Sequence, residues 1–260
     1  MTARCVPASG TADAMIRRVE LVEVQASNEG PVAVISLPGG PLTARTVREL
    51  ESALAGLGED RAHRVVLLES RSPDFCTGPA SDLDPVPDDD LPGRLEALRT
   101  PVVVALGGRC VSAGLELVLG ADVRVAAPGC TFGLPDVGAG QFTRWGGIQR
   151  LTRAVGPGAA NAVVLLGREL GTAEAHAIGL VHEVADDAGS RAREVAVELA
   201  GRSPLALEYA KEAIRRGAEL PLHHALRLEA DFNHLLQSSR DRAEGLSAFF
   251  EKREPRFEGR

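Results

Sequence analysis

The stretch PVVVALGGRCVSAGLELVLG, residues 101–120, carries the strongest structural signal in the chain. It opens with a β-branched run at Val102–Val104, which is typical of a buried strand. The step Ser112-Ala113-Gly114 then predicts the start of a helix. A helix N-terminus presents backbone N–H groups without intrahelical partners and the positive end of the helix dipole. The stretch therefore predicts a strand, a turn and a helix start that offers an anion site.

Two carboxylates belong to this frame. Glu116 lies about one turn inside the predicted helix, and Asp136 follows 20 residues later in FGLPD, residues 132–136, ahead of GGIQRL at residues 146–151. Paired acids beside an anion site suit acid–base chemistry on a carbonyl compound. We expect both side chains to lie in a cleft rather than in a packed core.

Composition sets the class of protein. The 260 residues suffice for one large domain, or for one domain with a small appendage. Hydrophobic residues make up 44% and charged residues 25%, which is ordinary for a globular chain, while aromatic residues make up only 3%. The core must therefore rest on Ala, Val and Leu. A net charge of −7 gives no attraction to nucleic acid phosphates or to anionic membranes.

The four cysteines, Cys5, Cys76, Cys110 and Cys130, lack any C-x-x-C spacing. They indicate neither a metal site nor a redox motif. Cys76 and Cys110 lie in apolar contexts at strand ends, where we expect reduced, buried thiols.

The ends and loops show few signals. No stretch approaches the ~20 apolar residues of a membrane span, and residues 1–18 contain no apolar block of a secretory signal. We interpret residues 1–18 as a flexible tail and expect a cytoplasmic protein. The acidic run DLDPVPDDD, residues 82–90, lacks a calcium-loop pattern and predicts a solvated loop.

Strands and helices alternate before about residue 145, which predicts an α/β core, and helices dominate afterwards. We divide the chain into a core domain at 19–200 and a helical region at 201–260. The predicted strands are Val19–Ala26, Val32–Leu37, Arg64–Glu69, Thr100–Leu106 and Asp122–Ala127. The predicted helices are Leu42–Leu57, with Thr43 as a possible cap, the helix that carries Glu116, Gly146–Val155, Gly158–Leu166, Thr172–Ile178, Ala188–Ala200, Pro204–Gly217, Leu220–Gln237 and Ser239–Lys252.

These motifs resemble the crotonase superfamily, the enoyl-CoA hydratase/isomerase family. The resemblance extends from about Val19 to the C-terminus, includes the ending FFEKREPRF at residues 249–257, and aligns residues 101–151 without a gap. It implies an α/β crotonase (ClpP/crotonase-like) spiral of repeated ββα units. It also implies a C-terminal helical region that forms homotrimers, often paired into hexamers.

The resemblance further implies an oxyanion hole, in which two backbone N–H groups stabilise a thioester enolate. The N–H of Ala113 is one candidate donor. For the second, the family pattern FCAGADL corresponds here to FCTGPASDL, residues 75–83. A gap-free alignment puts Pro79, which has no N–H, at the donor position. A two-residue insertion, which we slightly favour, makes Ser81 the donor. Both alignments retain the remaining substrate-binding candidates of these motifs, Phe75, Cys76, Thr77, Gly78 and Gly114.

Asp84 and Asp136 depart from the family pattern. Asp84 stands where relatives carry a lysine near the CoA phosphates, so Lys252 and Arg253 are alternative phosphate contacts, or only surface charges. The substrate is a CoA thioester, an acyl group on a carrier protein, or a molecule without a carrier. We expect no separate cofactor, since coenzyme A would be part of the substrate.

Asp136 replaces a glutamate of the hydratases. It is one methylene shorter, so it acts on a differently placed carbon or through water.

Arg144 and Trp145 follow on a loop where family members adjust substrate fit. Arg144 either pairs with a substrate carboxylate, pairs with Asp136, or is solvated. Trp145 either packs in the core or contacts substrate.

The leading hypothesis is a hydratase acting on an acyl thioester, because two acids are retained. An isomerase is the second choice, and a decarboxylase or a carbon–carbon lyase stays open. Pro79 and the missing lysine would suit a catalytically weakened auxiliary subunit. An enzyme that acts on a diketone without CoA, as some relatives do with a histidine near the site, is less favoured, because the motif blocks contain no histidine.

Overall fold

The computed structural model describes residues 17–18, 22–27, 30–84 and 89–260. The strands are β1 (Arg17–Arg18), β2 (Glu23–Ala26), β3 (Val32–Leu37), β4 (Pro41–Leu42), β5 (Val65–Ser70), β6 (Gly78–Pro79), β7 (Val102–Leu106), β8 (Arg109–Val111), β9 (Val123–Ala126), β10 (Thr131–Gly133), β11 (Leu170–Gly171) and β12 (Glu183–Val184). The helices are α1 (Ala44–Glu59), α2 (Leu91–Ala97), α3 (Ala113–Leu119), α4 (Gly147–Val164), α5 (Thr172–Ala177), α6 (Ala188–Ala200), α7 (Pro204–Gly217), α8 (Leu222–Gln237) and α9 (Arg240–Glu251), with a 3₁₀ helix at Pro135–Ala139.

The main sheet orders its strands β1-β2-β3-β5-β7-β9-β12. β3, β5, β7, β9 and β12 run parallel, and β2 joins β3 as an antiparallel hairpin. β3 and β7 are buried along their whole length, because helices cover both faces of the sheet. The predicted α/β core is thereby confirmed.

Alternate residues of the central strands enter two separate core layers. In β3, Val32 and Val34 belong to one layer, whereas Ala33 and Ile35 belong to the other. β5 and β7 repeat this alternation, since successive side chains of a strand point to opposite faces.

α6 forms one layer with an alanine at every fourth position. Ala188, Ala192, Ala196 and Ala200 are all buried and belong to the same cluster as the strand residues of that face. Their small side chains let the helix approach the sheet closely, so this layer is filled without aromatic residues.

Two short sheets bring the segment at residues 75–79 against α3. β6 pairs with β4, and β8 pairs with β10. The backbones of Cys76 and Cys110 form an isolated parallel β-bridge. A Cβ added to Gly114 would lie 2.4 Å from the Cβ of Cys76. Glycine at this position therefore allows the N-terminal turn of α3 to contact the segment.

The C-terminal half is helical, as predicted. Gly156 interrupts α4 with a φ of 78°, just before Pro157, which matches the two separately predicted helices in this region. α7 and α8 carry no buried residue among those described, and they expose Ile214, Leu222, Leu226 and Leu235.

The end of the chain packs back onto the helices. The buried carboxylate of Asp241 accepts hydrogen bonds from Ser203 Oγ at 2.7 Å and from the N–H of Glu258 at 2.8 Å. Arg64 Nη2 donates to the carbonyl oxygen of Phe257 at 2.5 Å.

Some expectations fall outside the described residues. These are residues 1–16 of the predicted tail, residues 19–21 of the first predicted strand, Asn28-Glu29 of the hairpin turn and residues 85–88 of the acidic loop. Arg17–Arg18 pairs with β2. No helix in the described ranges is long and apolar enough to cross a membrane.

Candidate active site

The start of α3 positions Glu116. Ser112 precedes the helix with a φ of 48°, and its N–H donates to the carbonyl oxygen of Gly133 at the end of β10. Glu116 is the fourth residue of the helix, as predicted, and its exposed fraction is 0%. The expectation of a cleft is wrong for Glu116 and for Asp136, because the chain folds over both side chains.

The loop at residues 144–147 encloses the Glu116 carboxylate. Oε1 accepts a hydrogen bond from the N–H of Arg144 at 2.9 Å, and Oε2 accepts from the N–H groups of Trp145 at 2.6 Å and Gly147 at 3.0 Å. A Cβ on Gly147 would lie 2.5 Å from Glu116 Cγ. Sequence reasoning missed this contact, although the pair Gly146-Gly147 is a signal that backbone approaches something closely there.

Two effects oppose each other at Glu116. Burial raises its pKa above the ordinary value of 4.5, and the negative charge of Asp136 adds to the rise. The three backbone N–H donors favour the ionised form and lower the pKa. Burial is the larger effect, so Glu116 holds a proton to higher pH than a solvated glutamate.

Asp136 lies in the 3₁₀ helix that follows β10. Its Oδ1 accepts a hydrogen bond from Ser112 Oγ at 2.6 Å, and Nη1 of Arg144 lies 3.7 Å from the same oxygen. Asp136 is buried, and its Oδ2 has no hydrogen-bond partner among the described residues. One acceptor oxygen beside α3 is therefore left for a ligand.

Arg144 connects the two acids. Its backbone N–H donates to Glu116, while its side chain forms the ion pair with Asp136. Of the alternatives left open by the sequence, pairing with Asp136 is thus confirmed and a solvated side chain is wrong. Trp145 packs in the hydrophobic core, and its Nε1 has no partner in the described part of the chain. Contact of Trp145 with substrate stays a prediction.

The candidate oxyanion donors belong to two segments, the start of α3 on one side and the residues from β6 onward on the other. Ala113 is the first residue of α3, where a backbone N–H has no intrahelical partner, and it is fully buried. On the other side, Pro79 belongs to β6, and the N–H of Ala80 donates to the carbonyl oxygen of Leu42. Ser81 lies in the exposed turn that follows. The choice between Pro79 and Ser81 at the second donor position stays a prediction.

The remaining predicted residues occupy different surroundings. Phe75 and Cys76 are buried in the core, Gly78 is buried, and Thr77 is exposed. Lys252 lies far along the chain at the exposed C-terminal end of α9, with a φ of 54°. Substrate contact by these residues, and by Gly114, stays a prediction.

The three cysteines in the described part of the chain are packing residues, and Cys5 lies outside it. Cys76, Cys110 and Cys130 are free and buried, as we expected for the first two. Burial raises the pKa of the Cys76 thiol, and raises that of Cys110 further. Such thiols are unreactive. In the described ranges, no group of three or more His, Cys, Asp or Glu side chains is arranged to hold a metal ion.

A groove of about 980 Å³ adjoins the acid pair. Arg144, Trp145 and Gly146 form part of its wall, opposite residues from α7, whereas Glu116 and Asp136 do not line it. Arg144 is therefore shared between the groove and the acids.

Comparison with known proteins points to one family. The family model described as enoyl-CoA hydratase/isomerase matches residues 29–260. The chain is 36% identical over 232 residues to 2,3-dehydroadipyl-CoA hydratase of Escherichia coli K12, covering 84% of the chain and 89% of that protein. It is also 36% identical over 232 residues to human mitochondrial enoyl-CoA hydratase domain-containing protein 2, covering 82% of the chain and 80% of that protein.

Solved structures agree as well. An enoyl-CoA hydratase from Bacillus anthracis superposes with a TM-score of 0.85 at 30% identity, over 93% of this chain and 100% of that one. A structure from Geobacillus kaustophilus HTA426 gives 0.86 at 30% identity, over 95% and 100%. These matches confirm the predicted α/β crotonase fold, including its C-terminal helices. The chain belongs to the enoyl-CoA hydratase/isomerase family.

Proposed function

We propose that the protein is a hydro-lyase that adds water across the α,β double bond of an enoyl thioester, or removes it in the reverse direction. One observation carries the proposal: Glu116 and Asp136 are buried together at the start of α3, and both have acceptor capacity left. An ionised carboxylate offers about four lone-pair sites. Backbone N–H groups occupy three of them at Glu116, and Oδ2 of Asp136 is unpartnered among the described residues.

The two acids have separate parts in this proposal. Hydration places a hydroxyl on the β-carbon and a proton on the α-carbon, so it needs one group that orients water and one that moves a proton. Glu116 is fixed by the backbone and orients the water through its remaining acceptor site. Asp136 moves the proton, directly or through a water, because its side chain is one methylene shorter than the glutamate of the hydratases.

The thioester oxygen needs donors that do not move. In the proposal the N–H of Ala113 supplies one, and the N–H of Ser81 supplies the second under the insertion alignment. An oxyanion donor of this type is worth ~10²–10³ in rate. The negative charge that develops on the enolate oxygen is then stabilised by the backbone alone.

We propose coenzyme A as the carrier, with Lys252 contacting its phosphates. The relatives are named as acting on CoA thioesters, but their names give different acyl groups, from dehydroadipyl to short-chain enoyl. Similarity therefore supports the carrier and leaves the acyl group open.

The test is a spectrophotometric assay with crotonyl-CoA and longer 2-enoyl-CoAs. We expect loss of the absorbance of the conjugated thioester as water adds. A 3-enoyl-CoA is the matched probe for isomerisation, since moving the bond into conjugation raises the absorbance instead. No change with any 2-enoyl-CoA at high enzyme concentration would contradict the hydratase proposal, and a signal with the 3-enoyl probe alone would support an isomerase.

Pro79 supports a second candidate, an auxiliary subunit with a weakened site, because this residue has no N–H to donate. A crystal structure with a bound acyl-CoA separates the two candidates. The hydratase proposal expects the Ser81 N–H at hydrogen-bond distance from the thioester oxygen. Pro79 against that oxygen, together with absent turnover, would favour the auxiliary subunit.

A further inference from the structure

The guanidinium of Arg144 is buried with part of its hydrogen-bonding capacity unused. The side chain is 5% exposed, yet neither Nε nor Nη1 has a hydrogen-bond partner in the described part of the chain. The nearest acid oxygen, Oδ1 of Asp136, is 3.7 Å from Nη1, which is too long for a hydrogen bond, and it already accepts from Ser112. Because arginine stays charged and buried charges are costly without hydrogen bonds, these two donors indicate a missing partner.

The other arginines of the adjoining groove differ from Arg144. Each of the four donates to a protein oxygen: Arg150 to Asp90 and Glu96, Arg153 to Glu219, Arg215 to the Glu96 carbonyl, and Arg216 to Glu212. Within the described residues, Nε and Nη1 of Arg144 have no hydrogen-bond partner. A general need for positive charge along the groove does not explain why these two donors are unpartnered.

The unpartnered atoms around Arg144 are mostly donors. Nε and Nη1 of Arg144 and Nε1 of the adjacent Trp145 are donors, whereas the acceptors are Oδ2 of Asp136 and, among the groove residues, Oδ2 of Asp89. A hydroxyl or a water supplies donors as well as acceptors, but a carboxylate only accepts. Arginine also forms its strongest hydrogen bonds with carboxylates. The excess of donors therefore fits a carboxylate on the ligand.

We propose that the acyl group of the substrate carries a second carboxylate and that Arg144 binds it. This inference rests on the proposed function, whose site it makes more specific. Arg144 lines the groove and also reaches the acid pair, so a dicarboxylic acyl thioester can place one end at Arg144 while its double bond lies near Glu116 and Asp136. Arg144 is then a specificity-determining residue.

The test compares two saturated thioesters of equal length, adipyl-CoA and hexanoyl-CoA, by isothermal titration calorimetry. Neither can be hydrated, so binding is measured apart from turnover. A charge-assisted contact predicts that adipyl-CoA binds roughly tenfold to a hundredfold more tightly. Apolar contact alone predicts the opposite order, since burying an unpaired carboxylate is costly. Equal binding, or tighter binding of hexanoyl-CoA, would overturn the inference.

Variants assign the preference to the residue. Arg144→Met should abolish the preference for adipyl-CoA, and Arg144→Lys should retain part of it. Arg153→Met, on the exposed face of the same groove, is the matched control and should keep the wild-type ratio. An unchanged ratio in Arg144→Met would overturn the assignment. The wild-type comparison and the lysine variant stay informative if the methionine variant fails to fold.

Failure of the two proposals can be told apart. Preferential binding of adipyl-CoA without turnover of any enoyl-CoA would contradict the hydratase proposal and support the Arg144 inference. Hydration of crotonyl-CoA together with equal binding of the two saturated thioesters would do the reverse.

Discussion

Glu116 has a structural contact as well as a proposed catalytic one. Its carboxylate binds three N–H groups of the loop at residues 144–147, which fixes that loop at the start of α4. The same contact places the Arg144 side chain beside Asp136. A change at Glu116 should therefore affect folding as well as turnover, unlike a change at an exposed catalytic acid.

Glu116→Gln tests both the structural and the catalytic role of Glu116, the first through the pH dependence of stability and the second through turnover. The pKa of Glu116 is raised by burial, so ionisation costs more in the folded chain than in the unfolded chain. The stability that the protonated acid contributes is complete below pH 4.5, the ordinary pKa, and is lost as the pH rises through the raised pKa. The stability advantage of the wild type over Glu116→Gln should therefore be greatest at acid pH.

The measurement is the free energy of unfolding of both proteins in urea, taken from pH 4 to pH 8. Titrating groups that do not interact with Glu116 contribute equally in the two chains and cancel in the difference. Turnover of Glu116→Gln should fall by at least about 10²-fold, as for loss of an acid–base group. A wild-type advantage that grows with rising pH would contradict the raised pKa of Glu116.

Gly147→Ala tests the close approach of the loop to Glu116. The added Cβ would lie 2.5 Å from Glu116 Cγ, so the loop or the acid has to shift. We expect a loss of about 1–3 kcal/mol in the free energy of unfolding and reduced activity. Gly158→Ala is the matched control in α4, because its Cβ meets nothing within 4 Å. Equal effects of the two substitutions would rule out the contact.

At the scale of elements, regular periodicity made β7 and α3 predictable. Val102–Val104 form an unbroken β-branched run, and Ser112-Ala113-Gly114 marks a helix start, so one local stretch fixes strand, turn and helix. The sequence did not predict β8 and β10, because each has only three residues, too few to show an alternation of apolar and polar side chains. The sequence did not predict α2 either, because Pro92 and Gly93 near its start are typical of a loop.

The site was predictable only in part for a related reason. Its acids follow from local motifs, but their surroundings depend on contacts between distant residues. The 144–147 loop meets Glu116 across about 30 residues of chain, through backbone N–H groups that no side-chain pattern reports. The depth of the burial of Glu116 likewise depends on the fold and not on its neighbours in sequence.

Ala192→Leu tests the packing of α6 on the sheet. Ala192 is fully buried in the layer formed with β3, β5 and β7, and leucine adds volume that a close-packed interior cannot take up. The free energy of unfolding should fall by about 1–3 kcal/mol in a urea titration. Ala55→Leu on the exposed face of α1 is the control and should change it little. A neutral Ala192→Leu would show that this layer is loosely packed.

For the whole molecule, α7 and α8 present apolar surface that the described chain does not cover. Ile214 is 75% exposed and Leu222 is 73% exposed. Large exposed apolar side chains on one region mark an interaction surface. From this surface and the family resemblance, we propose that the C-terminal helices form a trimer, or a hexamer of two trimers.

Light scattering coupled to size-exclusion chromatography measures this directly. The wild type should elute with three or six times the protomer mass. A Leu222→Asp, Leu226→Asp double variant should shift toward the monomer, because it places charge on the exposed apolar face of α8. Arg227→Ala on the same helix is the control and should keep the wild-type mass. A monomeric wild type would contradict the proposal.

The acid pair at the N-terminus of α3 is what the structure, the family membership and the proposed chemistry have in common. The steady-state rate of enoyl-CoA hydration by Asp136→Asn, compared with that of the wild type on the same substrate, tests it most directly. The substitution keeps the shape of the side chain and removes its charge. The rate should fall by at least about 10²-fold while the protein stays folded. A wild-type rate in this variant would show that the reaction does not use the pair.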